Sequence, residues 1–181
     1  MDPLRPRVAT VWLGGCSGCH MSFLDLDERL IELASRMDVV FSPLMDVKQF
    51  PEGVDAALVE GAIANEEHLH QARLLRARSK LVVSFGDCAV SGNVTALRNP
   101  LGGALPVLQR AYLETADVTP QLPDAAGIVP KLLDRVLPLH AVVAVDVFLP
   151  GCPPSADLIH LVISELLAGR TPDLRDRLRF G

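Results

Sequence analysis

The chain lacks an excess of positive charge and lacks any long apolar run. Its 17 Lys and Arg residues are outnumbered by 22 Asp and Glu residues, so the net charge is −5. Proteins that bind nucleic-acid phosphates normally carry a basic face, and this balance argues against that class. No apolar stretch approaches the ~18–20 residues that cross a bilayer, and the first residues do not form a secretory signal. We therefore expect a soluble cytoplasmic protein with no membrane span and no nucleic-acid partner.

Cysteine and aromatic residues are also scarce. Only four cysteines occur among 181 residues, and aromatic residues make up 4%. Cytoplasmic thiols stay reduced, so we expect the four cysteines to be ligands, catalysts or core residues rather than disulfides. The 49% hydrophobic content is enough to fill a core, and the length fits one domain over residues 1–181.

Short apolar runs alternate with helical patterns along most of the chain. Strands are predicted at 7–15, 38–46, 55–63, 80–86 and 141–151, and helices at 21–37, from Asn65 to about Lys80, at about 129–137 and at about 155–168. The sole tryptophan, Trp12, is predicted to lie in the core. Residues 99–128, rich in Pro and Gly, are predicted to form an irregular insertion. Strands that alternate with helices predict an α/β fold, a parallel sheet with helices on both faces.

Every cysteine follows a predicted strand. Cys16 and Cys19 come after the first strand, Cys88 after the fourth and Cys152 after the fifth. The carboxyl ends of parallel strands share one edge, where open α/β sheets bind their ligands. The sequence therefore predicts that four thiols from three loops meet at this edge.

Four interpretations of these cysteines compete. Buried structural cysteine explains each residue singly but not their shared position. Structural zinc usually takes two close pairs, whereas this chain has one pair and two distant residues, so zinc is possible but poorly supported. A CxxC thiol–disulfide oxidoreductase would leave Cys88 and Cys152 without a role. A 4Fe–4S cluster uses four thiolates and tolerates wide spacing, so it is the favoured interpretation.

Four motifs, GGCSGC, VEGAI, GDCAVSGN and GCPPSAD, are similar in sequence and order to the small subunit of nickel–iron hydrogenases. The resemblance implies a flavodoxin-like, doubly wound sheet of about five parallel strands with helices on both faces. It also implies one 4Fe–4S cluster with Cys16, Cys19, Cys88 and Cys152 as metal ligands. The obligate partner would be the large subunit, which carries the nickel–iron centre.

Two departures from the family pattern indicate which members of the family the chain resembles most. No cysteine follows Cys152 to bind further clusters, and no twin-arginine leader is present. The chain thus resembles the short, one-cluster small subunit of cytoplasmic NAD(P)-linked hydrogenases. This resemblance implies an oxidoreductase subunit that relays electrons to diaphorase-type iron–sulfur and flavin subunits, which bind FMN and NAD(P). The alternative is the related cluster subunit of complex I-like quinone reductases, which usually has adjacent cysteines in the first motif.

Residues around the cysteines are candidates for supporting roles. Gly18 and Gly151 would let backbone N–H groups approach the sulfurs, and Pro153 would stiffen the Cys152 loop. Glu60 is predicted to hydrogen-bond a cluster loop or join a proton path, or else to be a solvated carboxylate at a strand end. His20 is predicted to donate to a sulfur, or else to be a polar residue at a helix start. No flavin is predicted in this chain, and residues 99–128 are expected to reach the cysteine edge and dock the acceptor subunit.

Overall fold

The computed structural model describes residues 5–177. The strands, in chain order, are β1 (Arg7–Trp12), β2 (Asp38–Phe41), β3 (Val54–Glu60), β4 (Ile63–Asn65), β5 (Ser79–Phe85), β6 (Leu132–Leu137) and β7 (Val147–Leu149). The α-helices are α1 (Gly18–Leu24), α2 (Arg29–Arg36), α3 (Glu66–Arg78), α4 (Asp87–Ser91), α5 (Ala104–Gln109) and α6 (Ala156–Leu167). None of the described helices is long and apolar enough to cross a membrane.

Five of these strands form one parallel sheet in the order β2-β1-β3-β5-β7. Counted along the sheet's own strands, this is the 2-1-3-4-5 order of flavodoxin-like folds. The central strands are continuously apolar because both of their faces are covered. On one face, α1, α2 and α6 pack over Val8, Leu58 and Phe85. On the other face, α3 and α4 pack over side chains that include Val59 and Val82. The predicted fold class is confirmed.

Helix α3 begins where the sequence predicts. The Asn65 side chain accepts a hydrogen bond from the His68 backbone N at 2.7 Å. Glu66 and Glu67 occupy the first turn, and basic residues occupy the last turn, as suits the helix dipole. Ser155 caps α6 in the same way. The starts of both helices could be predicted from the sequence because capping is a local interaction.

The helix predicted over 21–37 is two helices, α1 and α2. They are separated at Asp27, whose φ is 50°, a left-handed conformation that Asp tolerates better than most residues. The apolar stripe nevertheless continues, since Phe23 and Leu33 both pack against the same sheet face. The hydrophobic period therefore located the buried face correctly but did not show the break in the backbone.

The helix predicted at about 129–137 is wrong, because this segment forms strand β6. Strand β6 pairs antiparallel with β4, and Asn99 both accepts from Val136 N at 2.7 Å and donates to Val136 O at 2.9 Å. The strand predicted over 141–151 is shorter than expected, since β7 covers only Val147–Leu149. Distant partners, rather than local preference, decide both elements.

The predicted irregular insertion is partly helical, and Trp12 is not a core residue. A 3₁₀ helix covers Asn93–Leu101, and α5 continues into a π turn at Arg110–Glu114. Irregular backbone prevails only from Thr115 to Lys131. Trp12 is 47% exposed because it ends β1 at the edge of the sheet, where its indole N–H donates to Gly15 O at 3.1 Å.

Candidate functional site

The four cysteines all lie at the carboxyl edge of the parallel sheet, as their positions in the sequence predicted. Cys16 lies in the loop after β1, and Cys19 lies in the first turn of α1. Cys88 lies in α4, directly after β5, and Cys152 lies in the loop that joins β7 to α6. Cys16 and Cys152 are exposed, whereas Cys19 and Cys88 are buried. The site therefore has an inner pair and an outer pair of thiols.

The four thiols also affect one another's ionisation. Burial raises the pKa of the Cys19 thiol far above its usual value, and the charges of Glu60, Cys88, Cys16 and Cys152 raise it further. Burial also raises the pKa of Cys88. Four thiolates could not coexist here without a positive group among them, because each opposes the ionisation of the others. An iron–sulfur group would supply that charge, since a metal-bound thiol loses its proton. The donor set thus fits an iron–sulfur group.

Among residues 5–177, no group of three or more Cys, His, Asp or Glu side chains is arranged to hold a single metal ion. In a 4Fe–4S cluster each cysteine binds a different iron, so the four sulfurs surround the cluster rather than converge on one ion.

Glycines make room for the sulfurs. Gly86 has φ +83° and ψ 163°, and a Cβ there would overlap Cys19 Sγ. Gly18 donates its backbone N–H to Cys16 Sγ at 3.4 Å. Gly151 has φ +137°, and its Cβ would lie 2.5 Å from Pro154 Cα. Only glycine fits at positions 86 and 151. The backbone conformations of the cysteine loops therefore depend on Gly86 and Gly151.

Polar side chains fasten the cysteine loops to one another. The Asp87 carboxylate accepts from Gly151 N at 2.7 Å, and Asp87 N donates to Gly151 O at 2.9 Å, which joins the Cys88 and Cys152 loops. Asn93 Nδ2 donates to Cys152 Sγ at 3.4 Å. Thr95 donates to Gly14 O at 2.9 Å and lowers the pKa of Cys88, against the larger effect of burial. These three residues are not among the candidates predicted from the sequence, although Asp87 and Asn93 lie within the GDCAVSGN motif.

One further contact and one cis peptide bond lie close to the last cysteine. The Ser22 hydroxyl of α1 donates to Pro154 O at 2.5 Å and ties the first cysteine segment to the last. Pro153, which was expected to stiffen the Cys152 loop, is exposed and follows a cis peptide bond. The Cys152 loop is therefore connected to both neighbouring cysteine segments.

Glu60 and His20 form a buried pair beside the cysteines. Glu60 is 2% exposed and His20 is 4% exposed, so neither is a solvated surface residue. The His20 backbone N donates to Glu60 Oε2 at 3.0 Å, and His20 Nδ1 contacts the same oxygen. The imidazole thus pairs with Glu60 through Nδ1, rather than with a sulfur.

Comparison with protein families agrees with this arrangement. The family model described as NADH ubiquinone oxidoreductase, 20 Kd subunit, matches residues 16–166, a range that contains all four cysteines.

Curated relatives are hydrogenase subunits. The delta subunit of the NAD-reducing hydrogenase HoxS of Cupriavidus necator is 39% identical over 171 residues, which cover 93% of this chain and 81% of that protein. A subunit of the F420-non-reducing hydrogenase of Methanothermobacter marburgensis is 40% identical over 176 residues, with 93% of this chain covered. The chain spans only 55% of that second relative's length.

Solved structures give the same result. A crystal structure of an NAD+-reducing [NiFe]-hydrogenase in the H2-reduced state contains a chain that is 38% identical, with a TM-score of 0.92. The match covers 98% of this chain and 99% of that chain. A [NiFeSe]-hydrogenase from Dm. baculatum is only 19% identical, with a TM-score of 0.57, and shares the fold. The predicted resemblance to hydrogenase small subunits is confirmed: the chain belongs to the NADH ubiquinone oxidoreductase 20 Kd subunit family, and within it is homologous to the delta subunit of NAD-reducing hydrogenase.

Proposed function

We propose that this chain is the electron-transfer small subunit of a cytoplasmic nickel–iron hydrogenase. Cys16, Cys19, Cys88 and Cys152 would hold one 4Fe–4S cluster. The observation that carries the proposal is the meeting of four electrostatically coupled thiols, drawn from three loops, at one edge of the sheet. The relatives that are named as NAD-reducing and F420-non-reducing hydrogenase subunits support it.

A bound 4Fe–4S cluster supplies one-electron redox chemistry, and the chain's own residues position the cluster and adjust its potential. The Gly18 N–H and the Asn93 amide each donate to a cysteine sulfur. Such donors withdraw charge from a thiolate and make reduction of a cluster easier. The buried Cys19 and Cys88 exclude water on the inner side, while the exposed Cys16 and Cys152 face outward. Electrons would therefore enter and leave on the side of the outer pair.

The partners follow from this role. Hydrogen would be split at the nickel–iron centre of a large subunit, and electrons would pass through the cluster to a diaphorase module with FMN and NAD(P). Because the described cysteines suffice for one cluster only, both partners must approach the same edge. Apolar side chains are exposed close to it, among them Trp12 (47%) and Met21 (59%). We assign residues 99–128, which the sequence predicts to dock the acceptor subunit, to the acceptor module, since Leu101 and Leu105 are more than half exposed.

A second candidate is the cluster subunit of a quinone reductase, which the description of the family model favours. The curated relatives are hydrogenase subunits instead, which favours the first proposal. A CxxC oxidoreductase is disfavoured, because it would leave Cys88 and Cys152 idle beside the dithiol. Hydrogen-dependent dye reduction by the purified pair of subunits separates a hydrogenase from a quinone reductase.

The cluster assignment is tested by Cys88→Ser in the anaerobically purified complex with the large subunit. The wild-type complex should be brown, with absorption that falls on reduction, and should contain the four irons of the cluster in addition to the nickel–iron centre. Cys88→Ser should lose or convert the cluster and abolish hydrogen-driven NAD(P) reduction. Val94→Ser, an exposed position in the helix that follows, is the matched control and should retain both. A normal 4Fe–4S EPR signal with full turnover in Cys88→Ser would refute the ligand set.

A further inference from the structure

His20 and Glu60 are not only buried together but are also joined by two contacts to one carboxylate oxygen. Glu60 is the last residue of β3, and His20 lies in α1. Two groups of the one residue, the backbone N–H and Nδ1 of His20, reach the same carboxylate oxygen, Oε2. In the described part of the chain, His20 Nε2 is buried and has no hydrogen-bond partner. The polar contact of this imidazole is therefore Glu60, and its ring otherwise lies near Phe85, with centroids 6.2 Å apart.

This pair is placed between two cysteine positions. His20 follows Cys19 directly, and the second carboxylate oxygen, Oε1, faces the loop that carries Cys16. A Cβ built on Gly15, the residue before Cys16, would lie 3.5 Å from Oε1. A negative charge on Glu60 also acts on Cys19, where it raises the pKa of the thiol in addition to the larger effect of burial. Glu60 is thus a buried acidic group within electrostatic reach of the cluster's ligands.

We propose that His20 is a positioning residue that holds the Glu60 carboxylate through Nδ1, offsets its charge, and thereby raises the reduction potential of the cluster. This inference rests on the proposed function. When the cluster is reduced by one electron, its charge becomes more negative by one unit. When the cluster is oxidised again, this change is reversed. A nearby carboxylate opposes the uptake, and a donor that draws charge away from the carboxylate weakens the opposition.

The experiment separates donation from packing. His20→Phe keeps a ring beside Phe85 but removes the Nδ1 donor. His20→Asn loses the ring but keeps a donor, because Asn Nδ2 is as many bonds from the backbone as His Nδ1. Glu60→Gln and the double variant His20→Phe/Glu60→Gln complete a double-mutant cycle. His70→Phe, on the exposed surface of α3, is the matched control.

Each variant is purified as the complex with the large subunit, its iron is counted, and the midpoint potential of the cluster is measured by an EPR-monitored redox titration at one pH. At the midpoint potential of the wild-type cluster, His20→Phe should lower the ratio of reduced to oxidised cluster by up to about tenfold. This corresponds to a midpoint potential that is lower by up to about 59 mV for one electron. His20→Asn and His70→Phe should stay near wild type. Glu60→Gln should raise the ratio, and the double variant should match Glu60→Gln.

The outcomes against the inference are distinct. An unchanged midpoint in iron-replete His20→Phe would overturn it, and so would additive effects in the cycle or a larger shift in His20→Asn than in His20→Phe. Where His20→Phe fails to retain iron, an unchanged midpoint in Glu60→Gln is sufficient to overturn it. Absence of cluster iron in the wild-type complex would instead refute the proposed function, and the inference with it.

Discussion

Replacing Gly86 by Ala should weaken both the fold and the cysteine site, because this glycine lies directly against Cys19. Gly86 joins β5 to α4, with φ +83° and ψ 163°, a region that is almost closed to residues with a Cβ. The strain costs about 1–3 kcal/mol. The new methyl group would also overlap Cys19 Sγ, and such overpacking costs about 1–3 kcal/mol more. The two costs together reach about 2–6 kcal/mol, a large part of the ~5–15 kcal/mol by which a domain is stable.

Gly102→Ala is the matched control. Gly102 has φ +88°, but no atom lies within 4 Å of a Cβ built there, so only a backbone cost of about 1–2 kcal/mol applies. Urea unfolding of the full chain without its cluster, followed by circular dichroism, measures the free energy of unfolding of both variants. Iron content of the purified complex measures whether Cys19 still reaches the cluster. Equal stabilities and equal iron contents in the two variants would refute the argument that Gly86 makes room for the sulfur.

Two further predictions concern stability at low pH and the acceptor surface. Burial alone would raise the pKa of Asp55, but the Arg7 N–H and the Lys80 ammonium hold it below its usual value. As pH falls, the Asp55 carboxylate is therefore protonated in the unfolded state before it is protonated in the folded state. The stabilisation that Asp55 gives above about pH 4 should be lost below that pH. In Asp55→Asn, the unfolding free energy should change less with pH over this range. On α5, Leu105→Glu should lower hydrogen-driven NAD(P) reduction about tenfold or more and leave dye reduction unchanged, as expected for an interface residue. Ile31→Glu, at a position 75% exposed on α2, is its control, and equal NAD(P) rates in the two variants would refute the docking assignment.

The parts of the fold that sequence could predict are those that local chemistry determines. The strand predicted at 80–86 is β5 at Ser79–Phe85, because a strand covered on both faces is apolar throughout. The start of α3 at Asn65 was also predicted, because the capping hydrogen bond there is local. Strand β6 was not, because LLDRVL carries no strong strand pattern. It is extended because it pairs with β4 and because Asn99 binds both backbone groups of Val136, and these partners lie far away in the sequence.

The candidate site shows the same division. The four cysteines were identifiable because each follows a predicted strand, and parallel strands end at one edge. The pairing of His20 with Glu60 was not identifiable, since it joins residues 40 positions apart. Either residue alone fits a helix start or a strand end. Asp87 presents the same difficulty, because its role depends on Gly151 in another loop.

The inner and outer thiols are held by different means, and this bears on electron transfer. Cys19 and Cys88 are buried beside core residues of their own helices, Phe23 in α1 and Ala89 in α4, so dense packing fixes them. Cys16 and Cys152 lack that packing and instead receive hydrogen bonds at 3.4 Å from Gly18 and Asn93. In the proposed relay, cluster ligands would need to stay in place in both oxidation states. Packing would hold the two buried thiols, and directed N–H donors would hold the two exposed thiols, on the side where the proposed partner would approach.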